Sequence, residues 1–131
     1  MLQRRIIYSI LFCLYIAAVA YICFARPEDI PQLPDIWLGL PSDKVVHFLM
    51  FIPYTILGFI TFYPSEGNVW KQVMLIAVLL VTGMGMAIGI EQIQALLSYR
   101  SAETDDIAAD AAGLAAGALT TLMYMMNRRK R

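Results

Sequence analysis

Four long apolar segments account for most of this chain, and they restrict its fold more than any other feature does. They cover about residues 6–24, 45–63, 73–97 and 107–126. A helix needs roughly 20 mainly apolar residues to cross a bilayer. With 60% hydrophobic and 15% charged residues, the chain is also too apolar for a soluble domain of 131 residues. We therefore predict an all-α integral membrane protein, a single domain over residues 1–131 that folds as a four-helix bundle.

The basic residues are distributed unevenly about these spans. Seven of the ten Lys and Arg residues fall on one side, namely Arg4, Arg5, Lys71, Arg128, Arg129, Lys130 and Arg131. Cytoplasmic segments of membrane proteins are enriched in Lys and Arg. The pattern predicts that both termini are cytoplasmic in a multi-pass protein of the cell (inner, cytoplasmic) membrane. The proline-rich segment 25–41 is then an irregular outer loop, with Trp37 at the membrane interface.

Three of the predicted spans carry titratable residues near their outer ends. We expect helix N-caps at position 42 or 43 and at Thr104. At a rise of about 1.5 Å per residue, His47 then lies about 7 Å inside the second span, and Glu91 and Asp110 about 9 Å inside the third and fourth. Ionisable groups at membrane depth are costly and by default indicate a functional site. We expect these side chains to meet at one depth.

Further polar residues extend this predicted site. Asp106 precedes Asp110 by one helical turn, and Gln94 shares a helix face with Glu91. We expect an outward-facing pocket in which four residues do the chemistry, namely His47, Glu91, Asp106 and Asp110. Four others are expected to bind the ligand, with two of them, Lys44 and Arg100, at the rim: Asp43, Lys44, Gln94 and Arg100.

Glycines at four-residue spacing accompany these polar residues. Gly113 and Gly117 continue the stripe of Asp110 along the fourth span, and Gly85 and Gly89 form a similar pair on the third. Small residues at this spacing let membrane helices approach closely. Both pairs are therefore predicted to lie at helix–helix contacts.

The polar residues also resemble the motifs of a known family. The chain contains "DKVVHF" at 43–48, "EQIQ" at 91–94, Arg100 and "DIAADAAG" at 106–113. These are similar, in order and spacing, to the D-K-x-x-H-F, E-x-x-Q, R and D-x-x-x-N-x-x-G elements of the VanZ-like membrane proteins. The resemblance covers all but the first span, and Asp110 stands where the family pattern usually has Asn. It implies a role at the cell envelope and, by analogy with the name-giving member, a link to resistance against the glycopeptide teicoplanin.

Three classes of function remain open on these residues. In the first, the pocket binds or modifies an envelope lipid or lipid precursor. Lys44 and Arg100 then attract an anionic head while His47 acts as general base or acid. A variant of this class holds a divalent metal through one imidazole and several carboxylates, from His47, Glu91, Asp106 and Asp110.

In the second class the protein is a noncatalytic binder or small transporter whose acids relay protons or neutralise a cationic ligand such as an antibiotic. In the third it is a helper subunit of another membrane protein, and the polar cluster only holds its helices together. The sequence has neither a G-x-S-x-G nucleophile motif nor a phosphate-binding glycine loop. It identifies no cofactor. Membrane lipids are the expected partners, and no nucleic acid is.

Overall fold

The protein forms four long helices in the computed structural model, which describes residues 2–63 and 68–130. These are α1 (Leu2–Phe24), α2 (Ser42–Phe62), α3 (Val69–Leu96) and α4 (Thr104–Arg129). Each is long and apolar enough to cross a membrane. The predicted all-α four-helix bundle is confirmed. Each helix begins a few residues before its predicted span, because helical hydrogen bonding continues through the polar residues that flank an apolar segment. The centre of the predicted inner connection, residues 64–67, and Arg131 of the basic tail lie outside the described residues.

The closest packing in the bundle is between α2 and α4, which run parallel to each other. A β-carbon added at Gly113 would overlap the carbonyl oxygen of Phe48, and one added at Gly117 would overlap that of Ile52. Only a glycine lets the two backbones come this near. The predicted contact of the Gly113 and Gly117 stripe is therefore present, and it brings the first turns of α2 and α4 side by side.

The second predicted glycine contact is wrong. A β-carbon added at Gly85 or Gly89 would meet no atom of the described structure within 4 Å. The inward face of α3 instead carries Gly83, where an added β-carbon would lie 2.6 Å from the Leu114 side chain, and the buried Ala87. Gly85 lies two residues, or about 200° around the helix, from Gly83 and therefore points away from the bundle. Spacing alone could not distinguish the two faces.

The segment between α1 and α2 is more ordered than its prolines suggest. It contains a short 3-10 helix, Pro27–Asp29, and two strands, β1 (Ile36–Trp37) and β2 (Leu40–Pro41), which pair antiparallel. Leu38 and Gly39 connect the strands with φ of 55° and 79°, the left-handed pair of a type I′ hairpin turn. The hairpin exposes Ile36, Leu38 and Leu40 beside Trp37. Exposed apolar side chains beside a membrane-spanning helix fit the membrane interface predicted for Trp37.

The N-cap positions of α2 and α4 lie one or two residues before the predicted caps. Pro41 precedes α2 and Glu103 precedes α4, and neither side chain caps its helix. Ser42 is instead the first residue of α2, and its hydroxyl donates to the carbonyl oxygen of Pro34. The hydroxyl therefore ties the hairpin segment to the helix and is not available for the helix end.

Candidate functional site

The parallel packing of α2 and α4 places His47 directly against Asp110. Nδ1 of His47 lies 2.8 Å from Oδ1 of Asp110. Both residues are buried, with 8% and 0% of their surfaces exposed. When Asp110 is ionised, its carboxylate only accepts hydrogen bonds, and Nδ1 of His47 is then the donor. The second ring nitrogen, Nε2, therefore faces the rest of the site.

Asp106, one turn above Asp110 on α4, connects His47 to Lys44. Its Oδ2 lies 3.4 Å from Nε2 of His47, and its Oδ1 lies 2.5 Å from Nζ of Lys44. Asp106 is buried, whereas its neighbour Asp105 is exposed. The buried acid of this pair therefore belongs to the site, and the exposed one lies in the first turn of α4, where the helix dipole favours negative charge.

Lys44 forms ion pairs with three carboxylates of the network. Its Nζ is 2.8 Å from Asp43, 2.5 Å from Glu103 and 2.5 Å from Asp106. The side chains of Asp43 and Glu103 are about half exposed, at 52% and 50%, so this group forms the outer surface of the site. Lys44 was expected to attract an anion, but here its charge is already matched by three acids. Anion binding by Lys44 stays a prediction.

Glu103 is a further site residue, which the sequence pattern did not predict. Its side chain contacts Lys44, and its backbone N–H donates to Oε2 of Glu91 at 2.8 Å. It lies in the loop just before α4, outside the predicted spans. Its only signal in the sequence is its place next to the acids that open the fourth span.

Glu91 reaches the same cluster from α3. It is buried, and its second oxygen, Oε1, has no hydrogen-bond partner among the described residues. Oδ2 of Asp110 is likewise buried and without a partner among these residues. The site therefore contains more acceptor atoms than the described protein groups satisfy.

Gln94 and Arg100 contact α1 instead of the cluster. The amide nitrogen of Gln94 and the guanidinium of Arg100, together with the Tyr99 hydroxyl, donate to four consecutive carbonyl groups at the end of α1: Ile22, Cys23, Phe24 and Ala25. The last four carbonyls of a helix have no partner within the helix. These contacts are those of a helix cap. A ligand-binding role for Gln94 or Arg100 stays a prediction.

The structure thus brings six of the eight predicted site residues together at one end of the bundle: Asp43, Lys44, His47, Glu91, Asp106 and Asp110. Their inner members are buried, and Lys44 with its acids covers them. Together they form a largely buried polar network, and an outward-facing pocket at this place stays a prediction. The predicted convergence of the three spans at one depth is present, because parallel α2 and α4 carry their polar residues one turn inside the helix start.

Two groups of side chains in this network have the spacing of metal ligands. His47, Glu91 and Asp106 each offer one ligand atom, and these atoms lie within 4.8 Å of one another. The same holds for Asp43, Glu103 and Asp106. In the second group Lys44 already supplies a cation.

A model of the VanZ/LLP1 family matches residues 12–126. The matched range contains every residue of the network and the α1 end that Arg100 caps. No curated protein and no solved structure matches the chain. The resemblance found in the motifs is therefore confirmed at the level of the family.

Proposed function

The chain belongs to the VanZ/LLP1 family, and from that premise we propose that it binds the polar headgroup of an envelope lipid or lipid-linked precursor at the outer face of the cytoplasmic membrane. The observation that carries this proposal is the His47 ring, held by Asp110 at 2.8 Å and facing Asp106 at 3.4 Å in the buried end of a membrane-spanning bundle. A structural network needs hydrogen-bond partners for all its atoms. Unpartnered Glu91 and Asp110 oxygens favour a ligand instead.

An apolar groove near the same end of the bundle supports a lipid as the ligand. It lies between α1 and α3, has a volume of about 290 Å³, and is lined by side chains that include Val19, Phe24 and Ile93. Gly89 and Ile90 also line it, and Ile90 directly precedes Glu91. An acyl chain in this groove would place its headgroup close to the network.

The charge of the network restricts the headgroup. Among the described residues, five carboxyl groups surround the two basic groups Lys44 and His47, and the Arg100 guanidinium is bonded to α1 instead. Carboxylates accept hydrogen bonds, so hydroxyl or amino groups of a sugar or amine headgroup fit them best. The headgroup reaches His47 when the carboxylates on Lys44 separate.

Lipid binding can be measured by native mass spectrometry of the detergent-purified chain. The probes are phosphatidylethanolamine, phosphatidylglycerol and a polyprenyl phosphate, each added at the same concentration. We expect Glu91→Gln and His47→Ala to lower retention of the preferred lipid at least tenfold, and Cys13→Ala, on the exposed face of α1, to have no effect. Equal retention by all four proteins contradicts the proposal.

Teicoplanin susceptibility of a sensitive host is the cellular readout that the family resemblance suggests. We expect the chain to reduce susceptibility and His47→Ala and Glu91→Gln to remove this effect when activity is normalised to inserted, thermally stable protein. If the loss follows only the loss of folded protein, the network is a scaffold and the helper class of function is favoured.

A second candidate, supported by the excess of acids, is a binder of a cationic ligand. This candidate predicts that an amine-bearing antibiotic binds the purified chain, and that added lipid does not reduce this binding. Isothermal titration of such a ligand into wild type and Glu91→Gln, with lipid present and absent, distinguishes the two candidates.

A further inference from the structure

The polar network has two layers that differ in how their negative charge is compensated. The outer layer consists of Asp43, Glu103 and one oxygen of Asp106 around Nζ of Lys44, at 2.8, 2.5 and 2.5 Å. The inner layer consists of Glu91, Asp110, the other oxygen of Asp106 and the His47 ring. Removing carboxylates from water is costly unless they are paired. The outer layer has a protein cation for this purpose, whereas the inner layer has only an imidazole.

The orientation of His47 is that of a metal ligand. A histidine that binds a metal through one ring nitrogen usually donates its other N–H to a carboxylate, which fixes the ring and makes it a better ligand. Asp110 provides that contact at Nδ1, and Nε2 then points toward Asp106. Asp110 is fully buried, so this contact is shielded from water.

Glu91 provides an independent observation. Its Oε2 accepts from the backbone of Glu103, but its Oε1 is buried and has no partner among the described residues. The residue as a whole is 94% buried, since 6% of its surface is exposed. A buried carboxylate oxygen without a partner is energetically unfavourable. A cation beside it removes that cost.

We infer that the inner layer is a divalent metal site with His47, Glu91 and Asp106 as ligands and Asp110 as the group that orients His47. The three ligand atoms lie within 4.8 Å of one another, and Nε2 of His47 is 3.4 Å from Oδ2 of Asp106. Two ligands of a tetrahedral ion with bonds of about 2.1 Å are about 3.4 Å apart. One imidazole with two carboxylates suits Zn²⁺ or Mn²⁺ better than Ca²⁺ or Mg²⁺.

This inference uses the same site as the proposed function and deepens it, but it does not require that a lipid headgroup binds. A divalent ion would offset the excess of carboxylates and offer an open coordination position to an oxygen of the headgroup. His47 then serves as a ligand through Nε2 and not as a general base. Arg100 and Gln94 have no part in the site, since they cap α1.

The test measures metal binding to the full-length chain in detergent, without added lipid and with any histidine tag removed. The protein is stripped with a chelator and titrated with Zn²⁺ by calorimetry and with Mn²⁺ by electron paramagnetic resonance. We expect about one ion per chain. Because the chain has a single histidine, imidazole nitrogen coupling in pulsed spectra of bound Mn²⁺ identifies His47 as a ligand.

Isosteric variants separate ligands from surface acids. Glu91→Gln and Asp106→Asn should weaken binding at least 100-fold, and Asp110→Asn about 10- to 100-fold, as expected for a group that orients a ligand. The matched controls Asp105→Asn and Glu28→Gln change exposed acids outside the network and should alter the affinity less than threefold. A Cys13→Ala, Cys23→Ala double variant excludes binding of Zn²⁺ by thiols.

Any of three outcomes overturns the inference: no ion bound at 100 µM, no nitrogen coupling from bound Mn²⁺, or equal losses of affinity in the inner-layer variants and the surface controls. Circular dichroism and gel filtration identify variants that are unfolded, and Glu91→Gln alone suffices if the Asp106 or Asp110 variants fail to fold. Metal binding without lipid retention contradicts the headgroup proposal and leaves the metal site standing. Lipid retention by a chain that binds no metal contradicts the metal site and supports the headgroup proposal.

Discussion

Nδ1 of His47 and Oδ1 of Asp110 lie 2.8 Å apart in the buried contact between two parallel helices. The bond joins α2 to α4 at the end of the bundle where the polar residues meet. An aspartate stands here at the position where the family pattern usually has asparagine. An amide oxygen can accept the same hydrogen bond, so the bond itself requires no charge at this position.

The stability of Asp110 variants should therefore depend on whether the new side chain can accept a hydrogen bond. We expect Asp110→Asn to keep the folded bundle with little change in its thermal midpoint. Asp110→Leu should destabilise it by about 1–3 kcal/mol, because Nδ1 of buried His47 loses its acceptor. Thermal unfolding in detergent, followed by circular dichroism, measures both. If the two variants are equally unstable, the charge of Asp110 and not the hydrogen bond holds the helices.

The two glycine pairs offer a matched comparison. Gly113→Ala should destabilise the bundle by about 1–3 kcal/mol, because the new methyl group meets the backbone of Phe48, which has little freedom to move. Gly85→Ala should be neutral or slightly stabilising, since it meets open space and alanine favours the helix. Thermal midpoints of the two variants test this, and a larger loss for Gly85→Ala would show that this face of α3 is packed in the membrane.

Arg100 should act on stability through the end of α1. Its Nε and Nη2 donate to Ala25 and Ile22 at 3.1 and 2.7 Å. We expect Arg100→Ala to speed amide hydrogen exchange of residues 20–26 and to lower stability by about 1.5–3 kcal/mol, the range for hydrogen bonds of charged groups. Arg100→Lys should recover only part of this, because an ammonium lacks the planar fork.

Arg128 provides the control for Arg100. Arg128→Ala removes an arginine from the opposite end of the bundle and should leave exchange at residues 20–26 unchanged. If Arg100→Ala weakens lipid binding without any change in exchange or stability, the sequence-based role of Arg100 as an anion-binding group is favoured.

The predicted orientation can be tested with single cysteines in a background without Cys13 and Cys23. Gln32→Cys lies in the exposed segment before the hairpin, and Asn127→Cys lies exposed near the end of α4. An impermeant thiol reagent on intact cells should modify position 32 and leave position 127 unmodified until the membrane is opened. The reverse pattern would contradict the charge-based orientation and place the polar network on the cytoplasmic side.

Much of the fold is contained in local sequence. Four apolar segments of about 20 residues require four helices in a bilayer, because each backbone polar group must be satisfied within its own segment. The depth of His47, Glu91 and Asp110 follows from the constant rise of the helix. These quantities depend only on positions along one helix, so the sequence determines them without knowledge of neighbouring helices.

The partners of each polar group depend on tertiary packing. Lys44 pairs with Glu103, 59 residues away, and Arg100 with the end of α1, 78 residues from Ile22. The sequence placed both basic residues at the rim of a pocket, but it contains no measure of which helix faces which.

The sequence by itself determined the number of spans and the depth of the titratable residues. Only the tertiary structure decided that Gly113 is at a contact and Gly85 is not, that Lys44 covers the acids, and that Gln94 and Arg100 cap α1. The physical reason is that burial and hydrogen bonding across helices depend on their rotation and crossing. Successive side chains lie about 100° apart around a helix, so a shift of one or two positions moves a side chain from the bundle interior to lipid.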